Sequence, residues 1–323
     1  MLSDPGGSFG AAVEVLRIPL TGYCYRMLGS GFEAEDAVQA TFERAWRSRA
    51  DFDEGRASVR TWLFAIATNI CLDMLRSSQR RARAMDFSDA SAPGPNVGTP
   101  LPDESWILPV PDARAVPTSA DPAEIVTQRE TIRFAFVAAL QQLPPRQRAA
   151  LILVDVFRLT AVEVAALLDT SQASVNSALQ RARATINSTS AGQGSSYDPL
   201  DPHHAALLAR YCDAFERYDI DGMVSVMRDD VTMSMPPLPW WIQGREQIRR
   251  ALSAADRPCE GARLVPTSAN GSPAFAQYRP VGPGERDEPF ALTVLDIADG
   301  LISDITTFLD AERLFPLFDL PDR

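Results

Sequence analysis

Apolar residues recur at helical spacing through two long stretches of this chain and at strand spacing in a third. From about Phe9 to Met85 there are few helix breakers. Within this stretch, Glu33 to Arg49 opens on acids and places Ala37, Phe42, Ala45 and Trp46 on helical spacings, which predicts an amphipathic helix. A short turn from Asp51 to Gly55 leads into a second predicted helix, Val59 to Ala84. Its apolar stripe is Leu63, Ile66, Ile70 and Met74, while Asn69, Asp73, Arg76 and Arg80 recur on another face. One side packs, and the other is available to a partner. Trp46 and Trp62 are expected in the core.

Residues 86–122 hold eight prolines and little periodicity, the pattern of a linker. A helix is predicted over 123–142, ended by Leu143-Pro144-Pro145, where proline starts the next helix. Thr160-Ala161-Val162-Glu163 is a capping box opening a helix through Leu168, Asp169-Thr170-Ser171 is a tight turn, and a last helix runs through Ile186. Two short helices on so short a turn predict a helix-turn-helix. Val175, Leu179, Ala182 and Ile186 form the inward stripe of the last helix. Gln172, Ala173, Asn176, Ser177, Gln180 and Arg181 then face outward, mostly side chains able to hydrogen-bond base edges or phosphates.

Residues 189–202 read as a second linker. Beyond it come a long helix from His203 to Met227, a strand Val231–Met235, a helix Gly244–Leu252, and strands near 263–267, 274–278, 290–297 and 301–308. The turn at Asp299-Gly300 joins the last two, and the order predicts an α+β domain. The domain boundaries are therefore 8–85, 86–122 (linker), 123–188, 189–202 (linker) and 203–323: two all-α domains followed by one α+β domain.

Composition narrows the function. All 31 basic residues are arginine, and the formal charge is −11. Residues 1–189 carry 19 arginines against 21 acids, and 190–323 carry 12 against 21, so the surplus acid lies mostly in the last part. Such a balance disfavours unaided binding to a phosphate backbone, although it permits a local basic stripe such as Arg76, Arg80, Arg81 and Arg83. The longest apolar run, Phe134 to Leu140, is too short to cross a membrane, and no secretory start precedes it, so a cytoplasmic protein is expected. Cys24, Cys71, Cys212 and Cys259 are scattered without a nearby histidine; free buried thiols are expected, with no metal site, redox pair or cofactor.

The segment EAEDAVQATFERAWRSRADFDEGRASVRTWLFAIATNICLDMLR resembles conserved region 2 of extracytoplasmic-function sigma factors, small bacterial transcription initiation factors that direct RNA polymerase to promoters. The resemblance implies that Asp36, Gln39, Thr41 and Phe42 meet core RNA polymerase, whose β and β′ subunits are the expected partners. It further implies that Arg56, Ser58, Asn69, Arg76 and Arg80 meet the melted −10 strand. LPPRQRAALILVDVFRLTAVEVAALLDTSQASVNSALQRARATI resembles sigma region 4, which reads the −35 element of duplex promoter DNA. Where such recognition helices often carry basic residues, this one has Asn176 and Ala178.

The last domain is similar to the cone-shaped SnoaL-like fold of the nuclear transport factor 2 type, on the motifs Y-x-x-A-F-E-R-x-D-x-x-x-M, Met-Pro-Pro and W-x-x-G-R-E-x-I-R. Tyr211, Asp230, Trp240, Trp241 and Tyr278 are candidates to line its pocket or an interface. The only histidines, His203 and His204, lie at its outer edge, so the general base of an enzyme of this fold is missing and no catalytic residue is assigned. A regulatory extension acting in place of, or beside, a separate anti-sigma protein is the expectation from the resemblance, and a small ligand is left open. Two other readings stand beside it: a ligand-responsive regulator that binds duplex DNA without polymerase, and a SnoaL-type enzyme with a DNA-binding appendage. Trp106 and Ile107 are costly in a free tether, so Trp106 is expected to dock on a folded domain.

Overall fold

A computed structural model describes residues 5–53, 55, 57–76, 81–94, 97–118, 121–189, 197–253, 259–282 and 287–321. The chain forms two compact units, one of residues 1–81 with 107–192, the other of 82–106 with 193–323. The Pro-rich stretch is thus divided between them, and the two helical regions share a single unit.

In the first unit, α1 (Pro5–Glu14), α2 (Arg17–Leu28), α3 (Gly31–Arg47) and α4 (Val59–Met74) are followed by a short α5 (Asp112–Ala115). Ser30 caps α3 by accepting from the Glu33 amide, and Ser58 caps α4 by accepting from the Thr61 amide at 3.1 Å. α4 ends at Met74, a full ten residues before the position that periodicity suggests. The chain is extended again by Ala82, whose amide donates to the Ser105 carbonyl at 2.9 Å, and that tertiary bond replaces helical continuation. Arg133 breaks the expected helix 123–142, having extended backbone (φ −60°, ψ 147°) between α6 (Pro122–Ile132) and α7 (Phe134–Gln141).

The remaining helices are α8 (Pro145–Leu151), continued by a π-helical turn Ile152–Val156, then α9 (Ala161–Leu167) and α10 (Gln172–Thr189). The Thr160–Glu163 capping box is present in both directions. Asp169 takes the left-handed conformation the tight turn needs, at φ 49°, and the Ser171 hydroxyl accepts from the Ser174 amide.

The second unit is a mixed six-stranded sheet in the order β2-β1-β6-β5-β4-β3. Its strands are β1 (Met227–Ser234), β2 (Trp241–Gln243), β3 (Arg263–Ala269), β4 (Ser272–Arg279), β5 (Glu288–Ala298) and β6 (Leu301–Phe308), with only β1 and β6 parallel. The helix expected from His203 to Met227 is two, α11 (Pro202–Glu216) and α12 (Ile220–Ser225), because Tyr218 turns to φ 54° between them. Together with α13 (Arg245–Leu252), they cover one face of the sheet. The other face receives α14 (Ala311–Leu317), packed through Ala311 and Phe315 on Ala276 and Tyr278. The Asp299-Gly300 hairpin is as expected, both residues at positive φ.

Candidate nucleic-acid interface

Helix α3 buries Ala34, Ala37, Val38, Thr41 and Ala45 and leaves Asp36, Gln39, Ala40 and Glu43 in an exposed stripe. Thr41 belongs to the inner face: its hydroxyl donates to the Ala37 carbonyl at 2.7 Å, so it braces the helix and does not reach outward as the resemblance implied. Phe42 is half-buried, with the Arg17 guanidinium 4.8 Å above its ring. Ala40 and Glu43 of the stripe, with Arg44, Arg47, Ser48, Asp51 and Ile70, line an open groove of about 490 Å³ between α3 and α4.

Asn69 and Asp73 stand exposed on one side of α4, and Arg76, exposed in the turn just beyond its end, is 3.4 Å from Asp73. Ser58 is exposed, but its hydroxyl is occupied as the helix cap. Arg56 and Arg80 lie outside the described residues. Trp46 departs from the core placement: it is 47% exposed, with Arg49 stacked 4.3 Å from its ring centroid. Trp62 is half-buried against Phe52, ring centroids 4.8 Å apart.

On α10 the geometry follows the helical period. Val175, Leu179 and Ala182 are buried, whereas Gln172, Ala173, Asn176, Ser177, Gln180 and Arg181 are all exposed along one face. Arg183, a turn further on, is tied to Asp155 at 2.5 and 3.0 Å.

Hydrophobic periodicity does not reveal the junction that joins these two regions. Arg26 of α2 is fully buried, and its partners among the described residues are neutral oxygens. It donates to the Gln128 carbonyl and side-chain oxygen at 2.8 and 2.9 Å, to the Thr131 hydroxyl at 2.7 Å and to the Gly22 carbonyl at 2.6 Å. The Phe157 ring lies 5.5 Å from the guanidinium carbon. Burial lowers the guanidinium's pKa to about 9, still above neutrality, so the cation persists. Arg148 does the same from the other side, donating to the Met27 carbonyl and to Gln141 Oε1. At the start of α4, Arg60 donates to the Phe157 carbonyl at 2.7 Å, and the Thr61 hydroxyl lies 3.5 Å from Glu163 of α9. The readable signal was a lone arginine in the otherwise uncharged run Leu20–Leu28. A guanidinium there needs carbonyl or hydroxyl partners from elsewhere in the chain.

Cys24 and Cys71 are also brought together at this core: both are fully buried, and burial with a hydrogen bond to Cys24 pushes the Cys71 thiol up.

In the cone domain the five pocket candidates do not converge. Tyr211 and Trp240 lie in the apolar cluster under the helices, with Met223, Val231, Phe275 and Leu295. Tyr278 faces the opposite side of the sheet, against Phe315, its hydroxyl donating to the Pro321 carbonyl at 2.7 Å. Asp230 is exposed and held below the usual carboxylate range by its hydrogen bonds from Arg228. Trp241 points out of the cluster, and its indole N–H donates to the Ser88 carbonyl at 2.9 Å. Within the cluster, burial pushes the Cys212 thiol up to about 11 and the Tyr211 phenol well above its ordinary value. Among the described residues, no group of three His, Cys, Asp or Glu side chains is placed to hold a metal, and no helix is long and apolar enough to cross a membrane.

A capped helix-turn-helix, a preceding helical region with an exposed polar stripe, and a trailing cone domain together define the sigma-70 class of initiation factor. Family models for sigma-70 region 2, sigma-70 region 4 and a SnoaL-like domain match residues 13–81, 133–186 and 208–305. ECF RNA polymerase sigma factor SigG of Mycobacterium tuberculosis (strain H37Rv) is 42% identical over 324 residues, covering 98% of this chain and 85% of that protein. SigJ of the same strain is 33% identical over 221 residues, 68% of this chain and 62% of that protein. The crystal structure of M. tuberculosis SigJ superposes with a TM-score of 0.59 at 23% identity, covering 97% of this chain and 99% of that one. The chain belongs to the extracytoplasmic-function family of RNA polymerase sigma factors.

Proposed function

We propose that this sigma factor binds core RNA polymerase through the exposed stripe of α3 (Asp36, Gln39 and the rim of Phe42), contacts the melted −10 strand from Asn69 of α4 and Arg76 just beyond its end, and reads the −35 duplex from α10. The observation carrying this reading is the α10 face: six adjacent outward residues of hydrogen-bonding or small type, on a helix capped by Ser171 that follows the box-capped α9 across a tight turn. Base edges in a major groove are read by such side chains, and small residues let the helix approach. The scarcity of cations on that face and the acidic whole make the polymerase partner necessary, since few phosphates are neutralised by the factor itself.

The SnoaL-like domain regulates and does not catalyse. Its cone is filled by apolar side chains, and His204, at the start of α11, is buried with its ring on the Asp198 backbone. The protein acts in the cytoplasm, where its template is. The decisive experiment is transcription in vitro with purified core polymerase and a promoter library: specific initiation that depends on the factor is expected. Tight, sequence-specific shifts of promoter duplex by the factor alone at physiological salt would favour a polymerase-independent regulator.

A further inference from the structure

The segment between the two DNA-reading regions, residues 82–106, belongs to the second unit, and its described residues, 82–94 and 97–106, bring its two ends together. The Ala82 amide donates to the Ser105 carbonyl at 2.9 Å, and Ala82 pairs with Trp106 in a parallel bridge, so the two ends of a 25-residue segment meet. Between those ends the segment follows the free edge of the sheet. The Ser91 amide donates to the carbonyl of Trp241, on edge strand β2, at 2.7 Å, and Trp241 returns its indole N–H to Ser88. Val97 packs against the apolar cluster under the helices. The Leu101 amide donates to the Pro237 carbonyl at 2.9 Å, and Asp103 is ion-paired with Arg313 of α14. Gly98 sits at φ 81° so close to Pro239 that a Cβ there would come within 3.2 Å. Proline interrupts the segment at Pro93, Pro95, Pro100 and Pro102, which removes four amide donors. Two of the amides it retains are bonded to the domain.

We infer that the β2 edge and the Pro236–Trp241 loop of the SnoaL-like domain form a binding site for an extended, proline-containing peptide, and that its occupant is this linker, held there as a removable clasp on the reach between regions 2 and 4. The functional half of this inference rests on the promoter-reading role proposed above. Elements centred at −10 and −35 lie about 25 base pairs apart, roughly 85 Å along straight duplex at about 3.4 Å per pair. A docked segment whose ends touch contributes almost nothing to that distance. Released, 25 residues extend to as much as about 80–90 Å. Regions 2 and 4 are packed on each other through Arg26, Arg148 and Arg60, and they can part only as far as the segment joining them allows. The domain thereby sets the factor's span by releasing or retaining main-chain bonds at its own sheet edge, an edge that would otherwise be open to strand addition.

Backbone amide exchange on the full-length protein tests this directly. In the free wild-type chain, the Ser91, Leu101 and Ala82 amides are expected to exchange at least tenfold more slowly than an open chain. Gly98→Val should erase that protection while the amides of β4 and β5 keep theirs, which separates undocking from unfolding. Arg313→Asp should loosen the same amides by setting a third acid beside Asp103 and Asp310, and adding Asp103→Arg should restore them. In the complex with core polymerase and promoter, the wild-type amides are expected to lose protection tenfold or more. Open-chain exchange in the free protein would overturn the docking. Protection undiminished in the promoter complex would overturn the clasp. Failure to co-elute with core polymerase would refute the proposed function instead, and the exchange in the free chain would still decide the docking.

Discussion

Among the described residues, the most deeply buried charge in the first unit is a cation bonded to neutral oxygens, and the titrating group on the outer sheet face of the second is an acid set beside another acid. Arg26 is satisfied by neutral oxygens of Gly22, Gln128 and Thr131. Asp304 accepts from the hydroxyls of Thr232 and Thr306, and Asp296 stands across the strand pair from it. The difference concerns what each arrangement joins. Bonds from a guanidinium to carbonyls can be exchanged for water when two bodies separate, so a junction built of them holds regions 2 and 4 together without an irreversible apolar seal. The acid is embedded in one continuous sheet, where nothing needs to part, and its cost appears as a pH dependence of folding.

The comparison breaks most readily at Arg26. Arg26→Ala removes five donated bonds, two of them to the Thr131 hydroxyl, strands the Gln128 and Thr131 acceptors and leaves a cavity beside Phe157. A loss of about 3–5 kcal/mol is expected in the first unit. Calorimetry should show the transition of that unit falling while the cone domain's stays in place. Arg26→Met, which fills the volume without a charge to bury, should recover a large part of the loss.

Asp304 gives the opposite sign. Burial, then the neighbouring Asp296, push its carboxyl up to about 6 against the hydrogen bonds from Thr232 and Thr306 and the charge of Arg83. The folded state therefore holds the proton more tightly than the unfolded chain does. Asp304's contribution to the stability of the cone domain is largest below about pH 4, where both states are protonated, and is lost as pH rises through about 6, by at most about 3 kcal/mol. Asp304→Asn should raise its melting temperature at pH 7.5, by the equivalent of about 1–3 kcal/mol, and make no difference at pH 4. An unchanged pH profile would show that Asp304 ionises in the folded sheet at its ordinary pKa.

These two residues also mark where the sequence could be read and where it could not. Region identities, the capping box at Thr160, the outward face of α10 and the hairpin at Asp299-Gly300 are local patterns, and each is settled by residues within one or two turns of one another. The early end of α4 at Met74 and the break at Arg133 are decided by partners far along the chain, such as Ser105 for Ala82, so periodicity overruns them. Trp46 and Trp62 carry apolar bulk that suggests a core, yet Arg49 and Phe52 cover them near the surface. Tyr211, on α11, and Tyr278, on β4, lie on opposite faces of the sheet, and the face Tyr278 takes is a matter of strand parity that spacing along a helix does not reveal.

On the DNA-reading faces the expected effects are of the same order but show in function and not in folding. Asn176→Ala with Gln180→Ala removes two hydrogen-bonding groups from the exposed face of α10, and each good base contact is worth about 1–3 kcal/mol of discrimination. Transcription from a promoter that depends on its −35 element should fall tenfold or more, with the melting temperature unchanged. Arg76→Ala should instead slow promoter opening, read by permanganate footprinting, and spare polymerase binding.

The smallest expected effect is the control for the whole comparison. Arg183–Asp155 in the first unit and Arg279–Glu288 in the second are both solvent-exposed ion pairs, with contacts of 2.5 and 2.6 Å. If burial separates Arg26 from Asp304, and not the unit each happens to occupy, then these two pairs should behave alike. Each gains little Coulomb energy in water and gives up side-chain freedom to form, so about 0.2–1 kcal/mol is expected from either. Arg183→Ala and Arg279→Ala should therefore shift their respective transitions by similarly small amounts, and the shifts should shrink further in 1 M salt, where the screening length falls to about 3 Å. A loss of several kcal/mol at Arg183 alone, persisting in salt, would mean that the first unit depends on its arginines wherever they lie, and the contrast with Asp304 would then be one of residue type and not of burial.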